Sequence, residues 1–423
     1  MQIVSKVYFV LIAIVAFIPD PSMPIDLKGF HWLYWCIVNT IYLLILFLYS
    51  RKEKLIIPSS PVLTSFLIFF GISLLSTAVA INKTESLVRL TDLYVVLSSL
   101  IIVYSFIKNK LINLNILLWI IFFKLFVELL AVYYQLYIYT AGFQVEFSGN
   151  FSHLLKSFYG NKNVTSFSFL IQSAISMILY TRLKSRPLRL FVFLTVCATF
   201  YILFFISTRA VFATIFIMLL ALLILFSLKY INNKKTAFNE FKKITVYLFA
   251  IIASYLLFNF TNNDKNIDVA DRVVSVTQFD NDESVSNRVR FWSQAGESII
   301  ENPLLGVGIG NWRIISIKYD AQNIYSYVVP YTVHNDFLEI FAETGIFGII
   351  SYLCFFVFLI KKSINNLSEW IKSKLSHYHI YLFLSLMFII IDANLNFPLT
   401  RPLMQIVLIL FIATFETLDY YEE

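Results

Sequence analysis

Hydrophobic residues in this chain come in long blocks and not in short alternation. Runs of about 20 apolar residues recur from one end to the other, a length that crosses the hydrocarbon core of a bilayer as a helix. Lipid offers the backbone no hydrogen-bonding partner, so each run must satisfy its own amides and carbonyls, which a helix does. The pattern predicts an all-α polytopic membrane protein with about twelve transmembrane helices. Their expected extents are 4–18, 31–50, 61–80, 87–107, 112–139, 163–181, 188–206, 210–229, 244–260, 335–360, 380–396 and 402–418. The first run carries Lys6, lacks a small-residue cleavage site and ends at Pro19-Asp20-Pro21, so an uncleaved span is expected there.

One stretch breaks the rhythm. Residues 261–334 are polar, and they separate nine spans (1–260) from three (335–423). Long connections in compact proteins are usually functional or disordered. This one is expected to be partly helical. Ser284 or Ser286 suits a helix N-cap, and Trp292, Ala295, Ile299 and Ile300 then share one apolar face. That face is expected to lie on the membrane surface, with Arg288 projecting from the same side.

Composition supports the membrane reading. The chain is 59% hydrophobic and only 14% charged, where a soluble domain carries roughly 25% charged residues. Charge then orients it. Arg51, Lys52, Lys54, Lys108, Lys110, Arg182, Lys184, Arg186, Arg189, Lys229, Lys234, Lys235, Lys242, Lys243, Lys361, Lys362, Lys372 and Lys374 fall in alternate connections. The opposite connections hold only Lys28, Lys83, Lys156, Lys162, Arg209 and Arg401. The positive-inside rule places both termini, 231–243 and 361–379 in the cytoplasm and 261–334 outside it. The net charge of +7 reflects this bias and implies contact with membrane lipids, with no nucleic acid. Cys36, Cys197 and Cys354 fall inside spans, so no disulfide framework is expected.

Candidate chemistry gathers where polar residues meet the apolar runs. Ser207-Thr208-Arg209-Ala210 interrupts an apolar stretch from 190 to 229 that is too long for one span. Two spans joined by a minimal turn are expected, with Arg209 at the membrane boundary. An arginine there is costly and marks function by default, against a bland alternative of snorkelling to headgroups. Asn287-Arg288-Val289-Arg290-Phe291-Trp292 offers two guanidinium groups, whose planar fork suits phosphate oxygens. For Arg290 a solvated basic face explains as much. Gly306-Val307-Gly308-Ile309-Gly310 resembles a nucleotide loop only superficially, because no strand precedes it; close backbone packing is the better expectation. His334 stands where the polar stretch meets the tenth span, positioned to take a proton from a hydroxyl near neutral pH. Asn335, Asp336 and Glu339 suit a helix start. Glu343 lies deeper and needs a partner, for which an arginine is expected. Lys124 with Glu128, and Arg89 with Asp92, are spaced to pair along a helix. Asp392, Asn394 and Asn396 lead toward Arg401, and Asp280, Asp282 and Glu283 read as a solvated acidic loop.

The order of these signals resembles the O-antigen ligase and polymerase superfamily of bacterial membrane glycosyltransferases. The resemblance rests on Gly160-Asn161-Lys162-Asn163, the turn at Arg209, Arg288 with Trp292, Asn302 to Gly310, His334 to Gly348, and Asn396 to Pro402. It implies transfer of a glycan from undecaprenyl diphosphate to an acceptor hydroxyl at the outer face of the bacterial inner membrane. Inversion at the anomeric carbon is implied, without cofactor or metal. His334 would act as base, with Arg209 and Arg288 stabilising the departing diphosphate. Arg290, Glu343, Asn335, Asp336, Trp292, Arg401 and Asn163 would contact substrate. The implied acceptor is lipid A-core for a ligase or a lipid-linked repeat unit for a polymerase; protein is a third possibility. A lipid-linked glycan transporter is the alternative of another class, disfavoured because the polar residues gather at one face instead of the midplane.

Overall fold

The computed structural model describes residues 1–18, 27–51, 58–143, 151–262, 283–321 and 331–422. The acidic residues Asp280 and Asp282, the Pro19-Asp20-Pro21 stop, and Lys52 and Lys54 lie outside them. Helix dominates, and no strand occurs among the described residues. In chain order the helices are α1 (Gln2–Ile14), α2 (Leu27–Ser50), α3 (Pro61–Ser76), α4 (Lys83–Lys108), α5 (Leu114–Tyr137), α6 (Lys162–Arg182) and α7 (Arg186–Ile206). They continue with α8 (Arg209–Asn232), α9 (Lys234–Asn262), α10 (Glu283–Glu301), α11 (Trp312–Asp320), α12 (Asp336–Ile371), α13 (Tyr378–Leu395) and α14 (Pro402–Glu422).

Ten of these are long and apolar enough to cross a membrane: α2, α4 to α9, and α12 to α14. The two remaining expected spans fall on shorter apolar helices, Gln2–Phe17 and Pro61–Ser76. Sixteen residues rise about 24 Å, short of a hydrocarbon core about 30 Å thick. The chain is thus an all-helical, multi-pass membrane protein, with ten full-length candidate spans and two shorter apolar helices among the described residues.

Two expected loops are largely helix. Only Asn233 separates α8 from α9, so 231–243 is not an open connection. Helix α12 runs to Ile371, well past the apolar segment. Conversely, the expected break near Arg209 is real. Ser207 caps α7 in the left-handed conformation (φ 49°), and Thr208 precedes α8.

The chain forms two compact units. The first comprises residues 1–112, 279–361 and 392–409; the second comprises 113–278, 362–391 and 410–423. Each has buried polar contacts that fix helix register inside an apolar bundle. In the first unit Asn39 of α2 accepts from the Tyr8 hydroxyl (3.0 Å) and donates to Val95 O, Ser98 and Ser99 of α4 (2.8–2.9 Å). In the second unit the expected Lys124–Glu128 pair forms at 2.5 Å, fully buried. Glu128 also accepts from Tyr159 (2.8 Å) and Gln172 (2.7 Å). An unpaired charge at that depth would be prohibitive, so the pair and its hydrogen bonds stand or fall together. All three cysteines are unbridged.

Candidate active site

The candidate site sits in the first unit and begins with a break in α12. Gly345 has φ 66° and ψ −166°, a conformation essentially restricted to glycine. The break releases backbone groups, and the glycine-rich segment before α11 takes them up. Val307 N–H donates to Ala342 O, Gly308 N–H to Glu343 O, and Ile346 N–H to Pro303 O, each at 2.9 Å. Backbones meet so closely that a Cβ on Gly306 would stand 2.4 Å from Glu343 C, and one on Gly345 2.1 Å from Leu304 O. The glycine string is therefore a backbone brace, as its sequence context predicted. Its amides are already used: Ile309 N–H goes to Ser76 Oγ (3.0 Å) and Gly306 N–H to Asn302 O (3.1 Å).

The brace sets the start of α12, where the acidic residues hold backbone. Asn335 Oδ1 accepts from the amides of Phe337 and Leu338 (3.0 and 3.1 Å) and is the helix cap. Asp336 accepts from Leu399 N–H and Glu339 from Val333 N–H, both at 2.9 Å. Glu343 accepts from Trp312 N–H at 3.0 Å. Glu343 forms no ion pair with an arginine among the described residues, though the charges of Arg89 and Arg313 act on it. Arg89 of α4 pairs with Asp92 at 3.3 Å, as its spacing predicted, and also donates to Leu399 O at 3.2 Å. Its charge faces Glu343, Glu339 and Asp336. Asp336 and Arg89 thus clamp the segment between α13 and α14 from both sides, and Asp392 holds Asn396 at 2.7 Å.

Helix α10 packs over this frame. Trp292, Ala295 and Ile299 lie against Trp312, Val333, Leu338 and Ala342. The apolar face therefore covers protein, which corrects the expectation that it rests on the membrane surface. Ile300 is 81% exposed and does not share that face. Ser284 and Ser286 lie within α10, which is described from Glu283 onward. Arg290 pairs with Asp320 at 3.4 Å, and Gln294 also donates to that carboxylate. This second helix, α11, was not expected; its Asn311-Trp312 start falls too close to the glycines to show helical periodicity.

His334 emerges just before α12 with φ 57°, an uncommon conformation for a residue with a side chain. Its ring lies 6.3 Å from Phe291, nearly parallel at 18°, and 4.9 Å from Phe397 at 80°. Nδ1 is buried and has no hydrogen-bond partner among the described residues. Burial first, then the charges of Arg288 and Arg401, push the imidazole down to about 4, so it is neutral at physiological pH. Arg401 lies over the Phe397 ring, 4.7 Å from its centroid. Burial lowers both arginines, Arg401 to about 10, yet both stay cationic near neutrality. Neither forms an ion pair with a carboxylate among the described residues, and the charge of each acts on His334. Two half-buried guanidinium groups beside a neutral base can receive an anion at one edge and a proton at the other.

Sequence reasoning had singled out His334, Arg288, Trp292 and Arg401, and the fold brings them into one unit. It missed Phe291 and Phe397, whose only signal was an aromatic next to a candidate cation or histidine. Arg209 opens α8, and Asn163 lies in the first turn of α6, where Asn161 is the cap (2.9 Å to Asn163 N–H). Both belong to the second unit.

Parts of this chain are similar to known proteins. Residues 191–353 match a family model described as O-antigen ligase. A Rickettsia conorii protein named "Putative polysaccharide ligase" is 33% identical over 92 residues, covering 20% of this chain and 22% of that protein. A Rickettsia felis protein also named "Putative polysaccharide ligase" is 30% identical over 90 residues, with the same coverage. The aligned stretch thus spans about a fifth of the length of each relative. The family match includes Arg209, Arg288, His334 and Glu343 and ends before Arg401. Residues 191–353 of this chain are thus similar to the O-antigen ligase family.

Proposed function

We propose that this protein is a membrane glycosyltransferase of the O-antigen ligase type. It moves a glycan from undecaprenyl diphosphate to an acceptor hydroxyl of lipid A-core, at the outer face of the inner membrane. The observation that carries this reading is the pair Arg288 and Arg401, without a carboxylate partner among the described residues, acting on a neutral His334. Such a pair suits a diphosphate. As the glycosidic C–O bond breaks, negative charge grows on the departing diphosphate, and cations already in place stabilise it without reorganisation. The acceptor oxygen attacks the anomeric carbon from the opposite side, and its proton passes to His334. An imidazole at about 4 is a weak base. A bound diphosphate offsets the two arginine charges and so raises its basicity, while burial still lowers it.

Arg209 enters this reading through its motif and its position at a boundary between two spans. Arg209→Lys keeps the charge but loses the planar fork. It should lose most activity, whereas Arg290→Lys, whose partner is Asp320, should be much milder.

The central test is His334→Ala, assayed as glycan transferred per mole of purified, monodisperse protein. General-base help contributes about 10²–10⁴-fold, and turnover should fall by that factor while lipid-linked donor still binds. Near-normal turnover would remove His334 from the mechanism. The acceptor class is tested in a deletion strain by resolving surface glycans by size. Loss of a ligase leaves the acceptor bare; an acceptor carrying one repeat unit would point to a polymerase instead.

A further inference from the structure

A histidine that works as a base is usually oriented by a hydrogen bond to its second ring nitrogen. His334 lacks one: Nδ1 is buried and unpartnered among the described residues. Something else must hold the ring. Phe397 meets it at 4.9 Å and 80°, and Phe291 closes the other side. The same Phe397 ring carries the Arg401 guanidinium at 4.7 Å. Phe397 is itself 6% exposed, and its backbone has little freedom. Asn396 is tied to Asp392 on one side (2.7 Å), and Leu399 is tied to Asp336 and Arg89 on the other (2.9 and 3.2 Å). One aromatic side chain is thus the shared neighbour of a base and a cation, mounted on a segment clamped at both ends.

We propose that Phe397 is a positioning residue that holds the His334 imidazole and the Arg401 guanidinium in one fixed arrangement for glycan transfer. The inference rests on the reading of His334 as the base. An aromatic ring serves both partners because its face attracts a cation and its edge or face packs against a second ring. An aliphatic side chain would fill the space but offer no such face. The charged groups that act on the imidazole are Arg288 of α10 and Arg401 before α14.

The test compares Phe397→Leu with Phe397→Tyr in purified full-length protein, using lipid-linked glycan donor. Misplacing a catalytic group by about 1 Å costs on the order of 10²-fold, and Phe397→Leu should lose kcat on that scale. Phe397→Tyr should recover most of it. Leucine should also let water reach the imidazole, so the acid limb of kcat/KM should move up from near 4 toward the ordinary histidine range. A merely structural role would reduce the yield of folded protein and leave that limb in place. Wild-type kcat and an unmoved acid limb in Phe397→Leu would overturn the proposal, as would a folded Phe397→Tyr that stays as slow as the leucine variant. His334→Ala separates the levels. If it is inactive while Phe397→Leu is unimpaired, only the positioning role fails; if it is active, the base and its positioner fall together.

Discussion

At the scale of single residues, environment decides what each ionisable group can do. His334 and Arg401 carry side chains of ordinary chemistry, but burial shifts both, and the arginines lower the histidine further. The direction gives a testable pH dependence. A base works deprotonated, so the acid limb of kcat/KM, which reports the free enzyme, should fall near pH 4 and not near 6.5. Arg288→Gln removes one positive neighbour and makes the imidazolium less unfavourable. Its acid limb should therefore move to higher pH, even as overall activity drops. A limb that stays in place would show that Arg288 does not act on His334. By contrast, Asn335, Asp336, Glu339 and Glu343 are occupied with backbone amides. The substrate contacts expected of Asn335, Asp336 and Glu343 would have to be made by atoms beyond these bonds.

At the scale of elements, the brace between 303–308 and the broken α12 is the part on which the site depends. Three backbone hydrogen bonds and three positive-φ glycines, Gly306, Gly308 and Gly345, create it. Gly345→Ala would place a Cβ 2.1 Å from Leu304 O in a conformation alanine does not adopt. Such strain costs about 1–3 kcal/mol, and each displaced hydrogen bond adds about 1 kcal/mol. The variant should show a lower thermal midpoint and less monodisperse protein, measured by fluorescence-detected size exclusion after heating. A Gly345→Ala protein as stable as the parent would mean that the close approach is not required. The same brace positions α11, whose Asn311 side chain accepts from Asn82 N–H at 2.8 Å and donates to Ser86 at 2.8 Å.

At the scale of the whole molecule, the distribution of basic residues predicts a sidedness. Single cysteines in a background lacking Cys36, Cys197 and Cys354 test it in intact cells. Ser286→Cys in α10 should react with an impermeant thiol reagent, whereas Asn233→Cys and Lys372→Cys should react only after lysis. All three positions are exposed. Labelling of Asn233→Cys in intact cells would reverse the orientation and put the proposed transfer on the wrong face.

Local pattern was enough for much of this protein. Membrane helices follow from the length of apolar runs, because burial in lipid is set by the residues of one segment. The Lys124–Glu128 and Arg89–Asp92 pairs follow from helical spacing, and the turn before Arg209 from a run too long for one span. What tertiary structure alone decided involves residues distant in sequence. The Asp336 bond to Leu399 joins residues 63 positions apart, and the Asn311 bond to Ser86 joins residues 225 apart. Periodicity cannot report which carbonyls a broken helix releases, so the partners of the glycine string and of Glu343 were invisible until both backbones were placed. Nor does it report what covers an amphipathic face: the stripe on α10 reads the same against lipid or protein, and only the packing of Trp312, Val333 and Ala342 selects protein. The aromatic ring shared by His334 and Arg401 is hidden for the same reason. A phenylalanine beside a proline is ordinary in sequence, and becomes specific only when folding places two polar groups against its ring.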